Sequence, residues 1–399
     1  MVEVPDVSDP KAYDNGFPHD VFAELRREAP VYWHEGDYTG GPGYWIISKY
    51  EDIKSISRQP HLFCSGEGTS IEDREGQGGF VSMISMDPPS HLRYRKLVAG
   101  GFTPRQIAAQ EPHHREIVKS ILDNALSRNE CDFVVDIASE LPLRVIAELV
   151  GFPQEHCDDM FEWTNTMIGS QDPEFSPTPE DASAAAMKMF NLAHTFVEDR
   201  IANPRNDLMS KILHGEVDGN KITPIEFDAF FLLLTVAGNE TTRNLISHGM
   251  LQLLEHPEAL ETLRREPEKI PVAIEEMLRF KSPVITFRRT ATQEIELRGQ
   301  KIRKGDKLMV YYPSANRDED IYEDPNTFDI ERKNNHHLAF GVGEHFCIGT
   351  HLARLEARVM FEAILERMHD IEITGPVSYL RSNLIDGVKH IPMKFSTSA

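Results

Sequence analysis

Residues 339–358 read AFGVGEHFCIGTHLARLEAR, a glycine-rich turn that holds a single cysteine, Cys347, and runs directly into an apolar helical stripe. The stripe is carried by Leu352, Leu355, Val359 and Leu365, which recur at the spacing of one helix face. Cys347 therefore stands just before a helix N-terminus, where the dipole and unpaired backbone N–H groups favour thiolate over thiol. Gly341, Gly343 and Gly349 let the backbone turn tightly and approach a flat, bulky group. Two plainer readings compete. A lone buried cysteine commonly serves as a small hydrophobe. His345, Cys347 and His351 could also be zinc ligands, although tetrahedral structural zinc usually recruits more sulfur than this stretch offers. A single thiolate wrapped in glycine fits an iron macrocycle better than either.

The clearest helix of the chain runs from residue 223 to about 256. Thr223, Pro224 and Glu226 supply its N-cap, first-turn proline and capping-box partner, and His256-Pro257 marks its stop. At 1.5 Å per residue it is roughly 50 Å long, enough to cross a domain. Its middle, FFLLLTVA at 230–237, is apolar on every face and so belongs in a core. Gly238, Asn239, Glu240, Thr241 and Thr242 follow at once. In one reading Gly238 admits a second helix while the threonine hydroxyls bond back to carbonyls a turn earlier. In the other the helix opens locally around a small ligand, to which Thr241 and Glu240 hand protons.

The rest of the chain sets bounds on these readings. Its 399 residues, 40% hydrophobic and 27% charged, suit a globular protein with a large core. No linker is visible: the loop-like stretches 66–79 and 171–181 are short and closely flanked by apolar periodicity, so one compact unit over 1–399 is expected. A net charge of −22, with no Lys/Arg-rich run, argues against nucleic acid. The acidic N-terminus carries no apolar segment, so neither signal peptide nor membrane anchor is expected and the chain is placed in the cytoplasm. Cys64, Cys131, Cys157 and Cys347 lack C-x-x-C spacing, as in a reduced compartment. The order of patterns is mainly α with small β-sheets. A hairpin joins two β-rich runs between Trp33 and Trp45, and short strands recur in residues 294–312 and 390–395. Residues 104–126 and 257–280 read as long amphipathic helical stretches.

Phe340 to Gly349, FGVGEHFCIG, resembles the haem-binding motif of the cytochrome P450 superfamily. Three further motifs stand in that family's order: AGNETT at 237–242, the E-x-x-R pair Glu276 and Arg279, and NRD…DPNTFDIER over 316–332. The likeness covers essentially the whole chain. It implies the cytochrome P450 fold, a helical prism enclosing haem b, with Cys347 as the thiolate ligand of the iron and Phe340 packed against the macrocycle. His91, Arg95, Arg289 and His345 then clamp the two haem propionates. Glu276, Arg279 and Arg332 form a buried ion triad that keeps the thiolate loop in place. Thr241 and Glu240 match the hydroxyl and acid of oxygen activation, with Ala237 leaving space above the iron. Glu240 departs from the aspartate many members carry, which repositions the proton relay.

The activity so implied is a monooxygenase that uses O2, two electrons and two protons to hydroxylate an unactivated C–H bond. No flavin or dinucleotide module is fused to the chain, so a ferredoxin and its reductase are the expected donors. Arg93, Lys96, Arg354 and Arg358 are candidates for the basic face that an acidic donor would meet, or else ordinary solvated residues. The expected substrate wall is apolar: Leu233, Val236, Ala237, Val284, Ile285 and Leu384. SANRDED, AGNETTRN and RSNLIDGVKHIPMKF further resemble bacterial members acting on steroids, branched lipids and terpenoids. The chain is expected to act as a monomer. A peroxide-driven enzyme would dispense with Glu240 and Thr241, and a haem-based sensor or carrier would need neither a proton relay nor a donor face.

Overall fold

A computed structural model describes residues 4–72, 82–178, 180–205, 207–217 and 219–397. Residues 73–79, the end of the first loop-like stretch, lie outside them. The hairpin forms as expected from its alternating aromatic and β-branched residues: β1 (Val31–Glu35) pairs antiparallel with β2 (Gly43–Ile47), and Trp33 stands opposite Trp45 with ring centroids 5.2 Å apart. β2 is one strand of a five-stranded sheet that also takes in β3 (Phe63–Cys64), β4 (Thr286–Ala291) and β5 (Lys307–Tyr311), in the order β1-β2-β5-β4-β3. A three-stranded sheet near the C-terminus pairs Met368–Ile373 with Pro392–Thr397, which also pairs with Glu130–Asp132.

Helices make up the rest of the frame. Those that position the site are α1 (Ser90–Ala99), α2 (Glu140–Val150), α3 (Cys157–Ile168), α4 (Pro224–Glu255), α5 (Ile270–Phe280) and α6 (Thr350–Arg367). α4 begins on the capping box expected of it, with the Thr223 side chain and the Glu226 side chain each bonding the other's backbone. Its midsection is buried on nearly every side, because α2, α3, α5 and α6 all pack against it. Phe227, Phe231, Leu245, Ile246 and Met250 join one apolar cluster with Ile146, Leu278, Leu352 and Phe361 from those helices. No helix among the described residues is long and apolar enough to cross a membrane.

Both long amphipathic stretches are broken. Residues 104–126 divide into Pro104–Ala108 and Glu111–Leu126, the second starting with Pro112 in its first turn. Residues 257–280 divide into Pro257–Arg265 and α5, separated by a 3-10 turn at Pro267–Lys269. In each case proline, which lacks an amide proton and clashes with the preceding turn, ends one helix and opens the next while the apolar periodicity carries on through the break.

Candidate active site

The thiol sits where the turn wraps closest. Cys347 N–H donates to Phe340 O at 2.9 Å, closing residues 340–347 into a loop just before α6. Gly341 and Gly343 take left-handed φ values of +68° and +81°. At Gly343 a Cβ would overlap the backbone oxygen of Ser57, so the turn tolerates no side chain. Burial pushes the Cys347 thiol up, while the Gly349 N–H and the Arg95 and Arg354 cations draw it down. Among the described residues no three His, Cys, Asp or Glu side chains converge as a metal site, so His345, Cys347 and His351 do not make a zinc centre.

Across a cavity of about 1460 Å³, open mouth included, α4 presents Ala237, Gly238, Thr241 and Thr242 toward the Cys347 loop. α4 does not open here: it runs unbroken, and the Thr241 hydroxyl donates to Ala237 O at 2.8 Å. The close helix approach read for Gly238 is present too, since a Cβ there would lie 2.8 Å from Ile146 Cδ1.

Glu240 lies next to the cavity without lining it. Its carboxylate is fully buried, ion-paired with Arg243, and accepts from Asn244 Nδ2 at 3.0 Å; Oε2 has no hydrogen-bond partner. Arg243 also donates to Asn165 on α3. Spacings of three and four along one helix face make the Arg243 and Asn244 contacts readable from sequence. The Asn165 contact depends on how α3 crosses α4 and carries no local signal.

The polar end of the cavity is built from distant segments. His91 and Arg95 on α1, Arg289 on β4 and His345 in the thiol loop all line it. The two imidazoles lie 4.1 Å apart, centroid to centroid. Burial first and neighbouring arginines second push His91 down to about 4; for His345, burial, Arg289 and then His91 push it down to about 3. His91 Nδ1 and His345 Nε2 are buried without partners. Two orphaned ring nitrogens beside two arginines fit the paired carboxylates of a haem, which would supply the missing anions. Phe340 lines the same cavity beside Cys347. The residues present therefore fit the macrocycle.

Glu276, Arg279 and Arg332 meet as anticipated. Arg279 Nε and Nη2 reach the two Glu276 oxygens at 2.7 Å each, Arg332 Nε lies 3.2 Å from both, and Asp329 N and Asn335 Nδ2 complete the carboxylate's bonds at 2.9 and 3.0 Å. Arg279 is spent on carbonyls as well, those of Asn316, Pro325 and Thr327.

Of the apolar wall residues, Leu233, Ala237 and Val284 line the cavity, whereas Val236, Ile285 and Leu384 do not; the Ile285 N–H instead bonds Leu384 O at 2.8 Å. Met83, Ile84, Phe102, Ile146 and Phe287 line it and were not anticipated. Apart from the adjacent Met83 and Ile84 they come from separate segments, and no periodicity distinguishes them from core. On the opposite face, Arg354 and Arg358 are not free cations: Arg354 grips Glu275, and Arg358 pairs with Glu111 and Glu362.

A family model described as cytochrome P450 matches residues 142–370. The steroid C26-monooxygenase of Rhodococcus jostii is 40% identical, covering 99% of this chain and 85% of its own length. The linalool 8-monooxygenase of Pseudomonas putida is 36% identical, covering 98% of each. The methyl-branched lipid omega-hydroxylase of Mycobacterium tuberculosis is 39% identical over 96% of this chain and 92% of its own. Among solved structures, a Mycobacterium marinum cytochrome P450 in complex with pseudoionone superposes with a TM-score of 0.92 at 33% identity, covering 99% of this chain and 98% of that one.

Proposed function

The chain belongs to the cytochrome P450 family, whose members carry haem b, and on that premise we propose that it hydroxylates an unactivated C–H bond of a steroid, terpenoid or branched lipid, using O2 and electrons from a ferredoxin and its reductase. The observation that carries this reading is the cavity itself. Away from its histidine and arginine end it is walled mainly by apolar side chains from several segments, and α4 contributes Thr241 and Thr242 to its lining. Such a wall holds a hydrophobic substrate by area and shape and offers few polar groups for orientation. The three relatives named above act, by their names, on a steroid, a terpene alcohol and a methyl-branched lipid, which supports the same substrate range here. One apolar cluster runs from Met83 to Phe395, and two others, from Val31 to Leu338 and from Val4 to Tyr311, interleave with it along the chain, which supports reading 1–399 as one domain.

In this reading Cys347 holds the iron, His91, Arg95, Arg289 and His345 hold the propionates, and Phe340 packs on the ring. Bound haem supplies oxygen activation. The chain's own part is to exclude water, orient the substrate and deliver protons. Thr241 presents its hydroxyl to the cavity, and the small residues Ala237 and Gly238 leave room beside it. Glu240 feeds Thr241 from behind: its unpartnered Oε2 takes a proton and its turn toward the cavity brings that proton to the hydroxyl. Leu233 and Val284 belong to the substrate wall. Glu276, Arg279 and Arg332 hold the segment that leads into the thiolate loop.

The test is a titration of the haem-loaded protein with a side-chain steroid, an acyclic monoterpenol and a methyl-branched fatty acid. A blue shift of the Soret band on binding, followed by NADH-dependent monohydroxylation when ferredoxin and reductase are added, is the expected result. Turnover driven by peroxide alone would favour a peroxygenase. Haem with neither activity would favour a sensor or carrier.

A further inference from the structure

Glu275 and Glu276 are neighbours on α5 and so point about 100° apart around its axis. Glu276 faces the triad, whereas Glu275 faces the thiolate loop from outside. Its Oε1 and Oε2 accept from Arg354 Nε and Nη2 at 2.7 Å each, a planar fork-to-fork pair between α5 and α6. Oε2 also faces His337 Nε2 at 3.2 Å. His337 Nδ1 accepts from Ala339 N–H at 3.2 Å, which assigns the ring proton to Nε2 and makes the imidazole a donor to Glu275. Between these two partners lies Phe340. The Arg354 guanidinium carbon stands 4.7 Å over its ring centroid, and its carbonyl accepts the Cys347 N–H at 2.9 Å. One carboxylate thus joins both ends of the segment that presents the thiolate, and neutralises a cation poised over it.

We propose that Glu275 is a positioning residue for the thiolate: by holding Arg354 and His337 on either side of Phe340 it limits the positive charge that Cys347 meets, and so sets the reduction potential of the bound haem. The sign follows from electrostatics. Reduction adds an electron to a centre already bearing a thiolate, so an uncompensated cation nearby favours the reduced form and an uncompensated anion opposes it. Burial raises Glu275, but its hydrogen bonds to Arg354 and His337 outweigh this and hold it down at about 2, so the carboxylate is charged throughout the working range. Partial exposure of Arg354, 36% for its side chain, moderates the effect without removing it.

The experiment compares the haem-loaded parent with Glu275→Gln, Arg354→Gln and the double variant by spectroelectrochemical titration, with the ferrous carbonyl spectrum reporting whether the thiolate ligand is kept. The amide oxygen introduced by E275Q can still accept from His337 and Arg354 Nη2 while its NH2 faces Arg354 Nε, so the variant removes the charge together with one hydrogen bond. The one-electron reduction equilibrium should shift about tenfold toward the reduced form in E275Q, near 59 mV per decade, by a similar factor the other way in R354Q, and return to within about threefold of the parent in the double variant. Loosening of the loop without a charge effect would move both single variants in the same direction, and that result, or no shift in either, overturns the proposal. Should E275Q fail to retain haem, Glu275→Asp and R354Q decide the matter: E275D must keep the parent equilibrium while R354Q moves toward the oxidised form.

Discussion

In the proposed function Thr241 and Glu240 divide one task. The hydroxyl is bonded to Ala237 O and available to the cavity, while the carboxylate is held behind it by Arg243 and Asn244. Thr241→Ala should leave haem binding and O2 consumption intact but lower the product formed per NADH about tenfold or more; parallel oxygen-electrode and product assays check this. Glu240→Gln should slow turnover by about 10²-fold with unaltered substrate binding, measured as kcat against the dissociation constant from spectral titration. Side chains of this kind were legible because the chemistry confines them to short motifs: cysteine among glycines, acid and hydroxyl after an apolar run. His91, Arg95, Arg289 and His345, brought together from α1, β4 and the loop, were legible only through the family likeness, since no local spacing relates residues so far apart. Arg354 and Arg358 show the opposite case. Their charge is visible in the sequence, but the carboxylates that neutralise them arrive from Glu111 and Glu275 by tertiary packing.

α4 depends on close approach as much as on hydrophobicity. Gly238→Ala places a methyl 2.8 Å from Ile146 Cδ1, so overpacking should cost about 1–3 kcal/mol and lower the thermal midpoint by differential scanning calorimetry. Glu276→Ala should cost more, about 3–5 kcal/mol, because Arg279 is fully buried and would lose its counter-charge; the expected outcome is protein with little haem, read from the Soret to protein absorbance ratio. The capping box, the hairpin around the Gly/Pro turn between Trp33 and Trp45 and the length of α4 were all readable, because each rests on neighbours in the chain. The two helix breaks were not, since the apolar period continues through Pro112 and Pro267 and only the proline itself signals the interruption.

Far from the cavity, the C-terminal strands are tied to residues 171–174. Lys389 pairs with Asp172 and Glu174, and His390 reaches Asp132 through Nδ1 and Glu174 through Nε2 at 2.9 Å. Burial lowers the His390 pKa, but the hydrogen bonds to Asp132 and Glu174 outweigh it and the net shift is upward from 6.5. A raised folded-state value means stability that is fully present below the unfolded pKa and lost as pH rises through the folded one. His390→Gln should therefore lower the thermal midpoint most below pH 6.5, with the difference fading at alkaline pH; midpoints of both proteins across a pH series check it. No pattern in the sequence pointed to this cluster, which unites residues more than two hundred positions apart. The central claim, however, concerns the thiolate. The absorption spectrum of the haem-loaded, dithionite-reduced protein under carbon monoxide should show the far red-shifted Soret band of thiolate-ligated haem, lost in Cys347→Ser. A band at the position of histidine-ligated or neutral-thiol haem, in protein that is folded and fully loaded, would contradict it.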